Sequence, residues 1–229
     1  MDMTVSLYGQ ISALAQKEWI KLRLFGAIPF ILALVLCTDF YLTLKTIMAV
    51  HGAAPTMQGI IFKEQVFFDR FTWFFSIAGL FFASLQIMPE CIQGRLRLAL
   101  HMPTSPRLVL AVPVVVGLTL QVLLGLVAFI GLTVACTQLN FPWEVTVPMI
   151  STVLPWIIAG IVAWCATAAA IADPSYIRKV MMLLFGLGYI SMLTTSRGWN
   201  DMEESLWIYT LVSLPWTATY YISALRIKG

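Results

Sequence analysis

Six apolar stretches, separated by segments that are alternately rich and poor in Lys and Arg, constrain this chain more than any other feature of its sequence. A helix needs about 20 mostly apolar residues to cross the hydrocarbon core of a bilayer. Stretches of that kind predict spans at about 24–44, 71–88, 108–134, 147–172, 180–195 and 206–224. Since 60% of the 229 residues are hydrophobic and only 11% are charged, the predicted fold class is an all-α integral membrane protein.

The alternation of charge also predicts the orientation of the spans. Lys and Arg accumulate in cytoplasmic loops, and ten of the fourteen basic residues fall on one predicted side. They are Lys17, Lys21, Arg23, Arg95, Arg97, Arg107, Arg178, Lys179, Arg226 and Lys228. We therefore predict a multi-pass protein of the bacterial inner membrane with both termini in the cytoplasm. The net charge of +3 reflects this asymmetry and does not indicate a nucleic-acid surface.

Neither a cleaved leader nor a metal site is predicted. Some 23 residues precede the first span, and no small-residue cleavage pattern follows it. The four cysteines have no paired spacing, and His51 and His101 fall on opposite predicted sides. We expect no catalytic residue and no cofactor in this chain.

Residues 1–23 are predicted to form an amphipathic helix on the cytoplasmic membrane surface. Lys17 and Lys21 flank its apolar face, where their ammonium groups would lie near lipid phosphates. The face itself consists of Leu7, Ile11, Leu14, Ala15, Trp19 and Leu22. Glu18 interrupts the apolar arc, so part of this face is expected to turn toward protein. The helix either anchors the first span or docks a partner.

Charged residues are nearly absent from the predicted spans, and Asp39 is the exception. Asp39 is a candidate for a substrate or ion role because charge is costly at membrane depth; the alternative is that it snorkels to the outer surface. Gln86 and Gln121 are candidates for the same intramembrane polar site, and hydrogen bonding between helices is the alternative. The loop before the second span is expected to be an aromatic interfacial belt, with Arg70 as a solvated helix end.

The segment after the second span carries the most specific local pattern. Ile92, Leu96 and Leu100 recur every four residues, which favours a short basic amphipathic helix. Alternating leucines would also suit a strand, but a cytoplasmic loop between two spans has no sheet to join. Pro103 is expected to end the helix. The alternative is an ordinary cytoplasmic loop, whose basic residues reflect only the preference of Lys and Arg for the cytoplasmic side.

These residues resemble the permease subunits of type 2 ABC exporters, the ABC-2 family. The matching residues are Lys17, Glu18 and Trp19 in the first helix and Glu90, Gly94, Leu100, Pro103, Ser105 and Arg107 after the second span. The resemblance implies six spans, cytoplasmic termini, an N-terminal connecting helix and a coupling helix between spans two and three.

The resemblance also implies partners. A second permease copy or a paralogue would pair with this chain in membrane lipid, and two ATP-binding subunits would hold ATP and Mg. The chain has no Walker-type phosphate loop, so the ATPase would be separate. Residues expected to couple to it are Lys17, Glu18, Glu90, Ile92, Gly94, Arg95, Leu96 and Arg97. Ile92 and Leu96 would enter a groove of the partner, and Arg95 or Arg97 would pair with its acids.

Two other classes of function stay open. The first is a structural or assembly subunit of a membrane complex, such as cytochrome biogenesis or export machinery. The second is an intramembrane enzyme, for which Asp39 alone supplies no reactive cluster. The short connection at 195–205 leaves the substrate class unassigned. Four prolines are expected to kink or break spans three, four and six: Pro113, Pro148, Pro155 and Pro215.

Overall fold

The computed structural model describes residues 7–63, 66–92, 94–101, 105–195, 202 and 204–226. Within these ranges the regular structure is helical, and no strand is present. The helices are α1 (Leu7–Leu22), α2 (Ile28–His51), α3 (Ala53–Lys63), α4 (Phe71–Ile92), α5 (Arg95–His101), α6 (Pro106–Gln138), α7 (Trp143–Ser151), α8 (Leu154–Ala172), α9 (Tyr176–Thr195), α10 (Leu206–Ser213) and α11 (Trp216–Leu225). Pro103 and Lys228 lie outside the described residues.

Five helical segments of the described chain are long and apolar enough to cross a membrane. They are α2, α4, α6, α9 and the consecutive pair α7 and α8. The prediction of an α-helical, multi-pass membrane protein is confirmed at this level. The predicted sixth span, 206–224, instead consists of α10 and α11, which a turn at Leu214 and Pro215 separates.

Prolines account for the two breaks within predicted spans. Proline has no N–H to donate and is tolerated in the first turn of a helix. Pro155 lies in the first turn of α8, just after the break that ends α7, and Pro215 immediately precedes α11. Pro113 and Pro148 instead lie inside α6 and α7, which continue through them.

Helix α8 forms the centre of the bundle and packs against α4, α6, α9 and α11. Its contact with α4 is a contact between backbones. A methyl group at Gly79 of α4 would overlap the carbonyl oxygen of Gly160 of α8, so only glycine fits there. Small residues at such crossings allow helices in membranes to approach closely.

The segment before α4 differs from the predicted loop. Helix α2 continues to His51, and α3 follows after Gly52, whose φ of +86° favours glycine. Several aromatic side chains expected in an interfacial belt are buried instead, among them Phe68, Phe71 and Phe75. The ring of Phe68 contacts those of Phe40 and Trp156, with ring centroids 5.7 Å apart in both pairs. The segment is therefore part of the core.

Candidate functional site

Helix α1 lies against the bundle with one side and is exposed on the other. Glu18 is 2% exposed and Leu22 is buried, whereas Trp19 is 67% exposed. The expectation that Glu18 turns toward protein is confirmed. Ile11 and Ala15, predicted on the same apolar face, are exposed together with Trp19. Only part of the predicted apolar face of α1 therefore contacts the bundle.

Four charged side chains meet where α1 contacts the end of α4. The ammonium nitrogens of Lys17 and Lys21 lie 2.6 and 2.7 Å from Oε1 of Glu90. Lys21 also lies 2.6 Å from Oε1 of Glu18. We call Lys17, Glu18, Lys21 and Glu90 the charge cluster. Two cations and two anions make it neutral overall, which suits a buried position because an unpaired buried charge is costly.

The charge cluster corrects the prediction for the two lysines. Their ammonium groups were expected near lipid phosphates, yet both bind carboxylates of the same chain. Lys21 is mostly buried, and Lys17 is partly exposed. The two carboxylates, placed by sequence on a surface for an ATPase, also lie inside the chain: Glu18 and Glu90 are buried. They link α1 to α4.

Gln86 extends the charge cluster into the bundle. Its Nε2 donates to Oε2 of Glu18 and to the carbonyl oxygen of Pro113, both at 3.4 Å. Its Oε1 accepts a hydrogen bond of 2.8 Å from Nε1 of Trp164, and its own carbonyl oxygen accepts one of 3.1 Å from Lys21. One amide side chain on α4 thus joins α1, α6 and α8.

The sequence prediction named Gln86 and Glu90 separately but did not pair them, and it gave Trp164 no role. Gln86 and Glu90 are four residues apart, so they share one face of α4, as the charge cluster requires. The indole of Trp164 fills the space beside Gly117, where a methyl group would overlap it. A glycine facing a tryptophan is visible only once the helices are paired.

Burial sets the electrostatics of Glu18. It raises the pKa of the Glu18 carboxyl above the usual value, and the attraction and hydrogen bond of Lys21 offset only part of that rise. The arrangement holds α1 in place through ion pairs and hydrogen bonds. It supplies no activated nucleophile, because every member is already paired with another.

Helix α5 matches the short basic helix predicted after the second span. Gly94 precedes it with a φ of +63°, a conformation that favours glycine. Leu96 and Leu100 are buried at 3% and 2% exposure, whereas Arg95 and Arg97 are exposed. Leu96, expected to enter a partner, packs within the core of its own chain, so it would have to leave that core to do so.

Other exposed residues on and next to α5 include the predicted contact residue Ile92. Ile92, just before the helix, is 71% exposed, and Leu98 is 66% exposed. Arg107 is exposed in the first turn of α6, which Ser105 precedes. Apolar and cationic side chains therefore occur together on this surface.

A third buried carboxylate, which the sequence prediction missed, lies just beyond α8. Asp173 accepts a hydrogen bond of 2.8 Å from the backbone N–H of Ser175 and one of 3.1 Å from Nη1 of Arg226. Nε of Arg178 lies 3.6 Å away. Burial opposes ionisation, but these three groups outweigh it and lower the pKa of Asp173. An Asp-Pro-Ser sequence after an apolar helix is the signal for such a turn.

The three candidates for an intramembrane polar site lie in three places. Gln86 belongs with the charge cluster. Gln121 donates to the carbonyl oxygens of Phe75 and Gly160 at 3.4 and 3.3 Å, which joins α4, α6 and α8. Asp39 is 2.6 Å from Nη1 of Arg70, and both side chains are partly exposed. Asp39 thus has a partner at the end of α4 opposite the charge cluster.

Among the described residues, no group of three or more His, Cys, Asp or Glu side chains could hold a metal ion. All four cysteines are free. No protein-family model, no curated protein and no solved structure matches the chain. Its function is therefore inferred from its own residues and contacts.

Proposed function

We propose that this chain is the membrane-spanning permease subunit of an ATP-driven exporter of the ABC-2 type. In this proposal α10 and α11 together form a sixth span, and both termini are cytoplasmic. ATP and Mg are bound by a separate subunit, and a second permease copy or a paralogue completes the pathway for the substrate. The observation that carries the proposal is that α1 and α5 both connect to the same end of α4.

The surface of α5 supports contact with a partner. Leu96 and Leu100 hold the helix on the bundle, so its outer side can bear force without detaching. Arg95, Arg97 and Leu98 are exposed on that outer side. A partner surface with an apolar groove and acidic residues complements this combination.

The charge cluster would transmit a force applied to α5 to other helices of the bundle. Glu90 lies at the end of α4 that leads into α5, and it binds both lysines of α1. Gln86, one helical turn earlier, connects to Trp164 of α8. A push on α5 would therefore move α4, α1 and α8 together, because these connections are short and buried.

Charge reversal on α5 tests the proposal. The full chain is purified in mild detergent from its native membranes, and we expect an ATP-binding subunit to co-elute, with ATP hydrolysis faster in the complex than in that subunit alone. The double variant R95E/R97E should lower the yield of the complex at least several-fold, because each lost contact would become a repulsion. The readouts are complex yield and ATP turnover.

A matched variant separates this surface from charge in general. Lys45 and Lys63 are exposed at the other end of the bundle, so K45E/K63E should leave complex yield and ATP turnover unchanged. Membrane insertion of both variants is checked by protease accessibility of a terminal tag. A stable complex without any ATPase would contradict the proposal and favour a structural or assembly subunit.

A further inference from the structure

An apolar groove lies between α1, the turn after it, the start of α2 and the middle of α6. Its volume is about 390 Å³, within the range of roughly 300–1,000 Å³ typical of small-molecule sites. Its apolar walls include Leu22, Phe30, Val116 and Leu120. Trp19 and Arg23 also line it.

The turn between α1 and α2 gives the groove a fixed shape. The backbone N–H of Gly26 donates to the carbonyl oxygen of Leu22 at 2.6 Å, and that of Arg23 donates to the carbonyl oxygen of Trp19 at 2.8 Å. A methyl group at Gly26 would lie 2.6 Å from the Leu22 oxygen, so the chain passes closely here. These backbone contacts therefore fix the turn that forms one wall of the groove.

The lining of the groove combines two kinds of chemistry. Val116 and Leu120 lie roughly 15–20 Å along α6 from its first residue, at a depth suited to hydrocarbon. Arg23 follows α1 directly and lines the same groove, and a long side chain of this kind can extend its charged head toward the membrane surface. One cation within a mostly apolar lining matches a phospholipid with an anionic headgroup.

Arg23 also differs from the neighbouring lysines because no described carboxylate neutralises its charge. Lys17 and Lys21 are neutralised by the two carboxylates of the charge cluster. Arg23 is exposed and forms no ion pair with a described residue. We propose that the groove binds one anionic phospholipid, with an acyl chain between Phe30 and Leu120 and the phosphate on Arg23. This site does not depend on the proposed transport role.

Native mass spectrometry of the full chain in detergent tests the site. The probes are phosphatidylglycerol and phosphatidylcholine with identical dioleoyl chains, so only the charge of the headgroup differs. We expect one tightly bound phosphatidylglycerol and a preference of about fivefold over phosphatidylcholine, the effect of one basic residue at an anionic lipid. R23Q should reduce the preference to near unity, and R23K should retain it.

Two further variants keep the test specific. R95Q removes an exposed cation outside the groove and should leave the preference unchanged. A27W places an indole in the groove beside Phe30 and should reduce binding of both lipids several-fold. The proposal is overturned if R23Q keeps the preference, if R95Q abolishes it, or if A27W binds both lipids like the unmodified chain. It is also overturned if the groove is covered by a second copy of the chain and no lipid is retained.

Discussion

The two ends of α4 hold their charges in opposite ways. At the end that leads into α5, Glu90 is buried and shared by Lys17 and Lys21 within a network that reaches α8. At the other end, Arg70 forms a partly exposed pair with Asp39 of α2. A buried network loses much when one member is removed, whereas an exposed pair contributes little. The charges at the first end are therefore expected to contribute much more to stability than the pair at the second end.

The largest expected effect comes from breaking the charge cluster. E90Q leaves Lys21 mostly buried with one carboxylate fewer and should lower the free energy of unfolding by about 3–5 kcal/mol. D39N, at the other end of α4, should cost no more than about 1 kcal/mol. Thermal unfolding of both variants in the same detergent, followed by size-exclusion chromatography, makes the comparison. Equal losses would mean that the two ends do not differ in this way.

A smaller effect is expected from the hydrogen bond that joins α4 to α8. W164F removes the indole N–H and leaves Oε1 of Gln86 without that donor, which should cost about 1–3 kcal/mol. Trp156 is the matched control, because it is buried near the start of α8 and its indole donates no hydrogen bond to a described residue. The difference between W164F and W156F in thermal unfolding isolates the hydrogen bond from the loss of volume. W164F should be the less stable variant.

The smallest effect at neutral pH concerns Asp173. Arg178 and Arg226 are both partly exposed, so D173N should cost up to about 1 kcal/mol. The folded-state pKa of Asp173 is lowered from the ordinary 3.8, so its ionised form stabilises the fold above pH 3.8. That contribution is lost as the pH falls through the lowered pKa. Unfolding midpoints of the two proteins should therefore converge on acidification, and a constant gap would contradict the role of the carboxylate.

The long apolar segments could be predicted from sequence because length and hydropathy alone define them. Five of the six predicted spans correspond to long apolar segments of the structure. The breaks within the fourth and sixth predicted spans follow from Pro155 and Pro215, whose effect on a helix is local. The burial of Glu18 could also be predicted, because a carboxylate that interrupts an apolar helix face needs a protein partner. These features depend on residues close together in the chain.

The partners of the charged residues could not be predicted in the same way. Lys17 and Lys21 have the spacing of a lipid-facing helix, and only the docking of α1 on α4 turns them toward Glu90. Leu96 has the spacing of an exposed apolar face, yet tertiary packing buries it. Such outcomes depend on residues roughly 70 positions apart, which a helical wheel does not relate.

The contact between Gly79 and Gly160 has a mechanical consequence. With no side chain between the two backbones, and with Gln121 bonded to both helices, α4 and α8 cannot slide past one another without losing these contacts. The two helices are therefore expected to move as one rigid body. Displacement applied at Ile92 would arrive nearly undiminished at Phe71 and Leu154, the far ends of the two helices. Bending would then occur mainly in the turns next to those residues, where the helical hydrogen bonding is already interrupted.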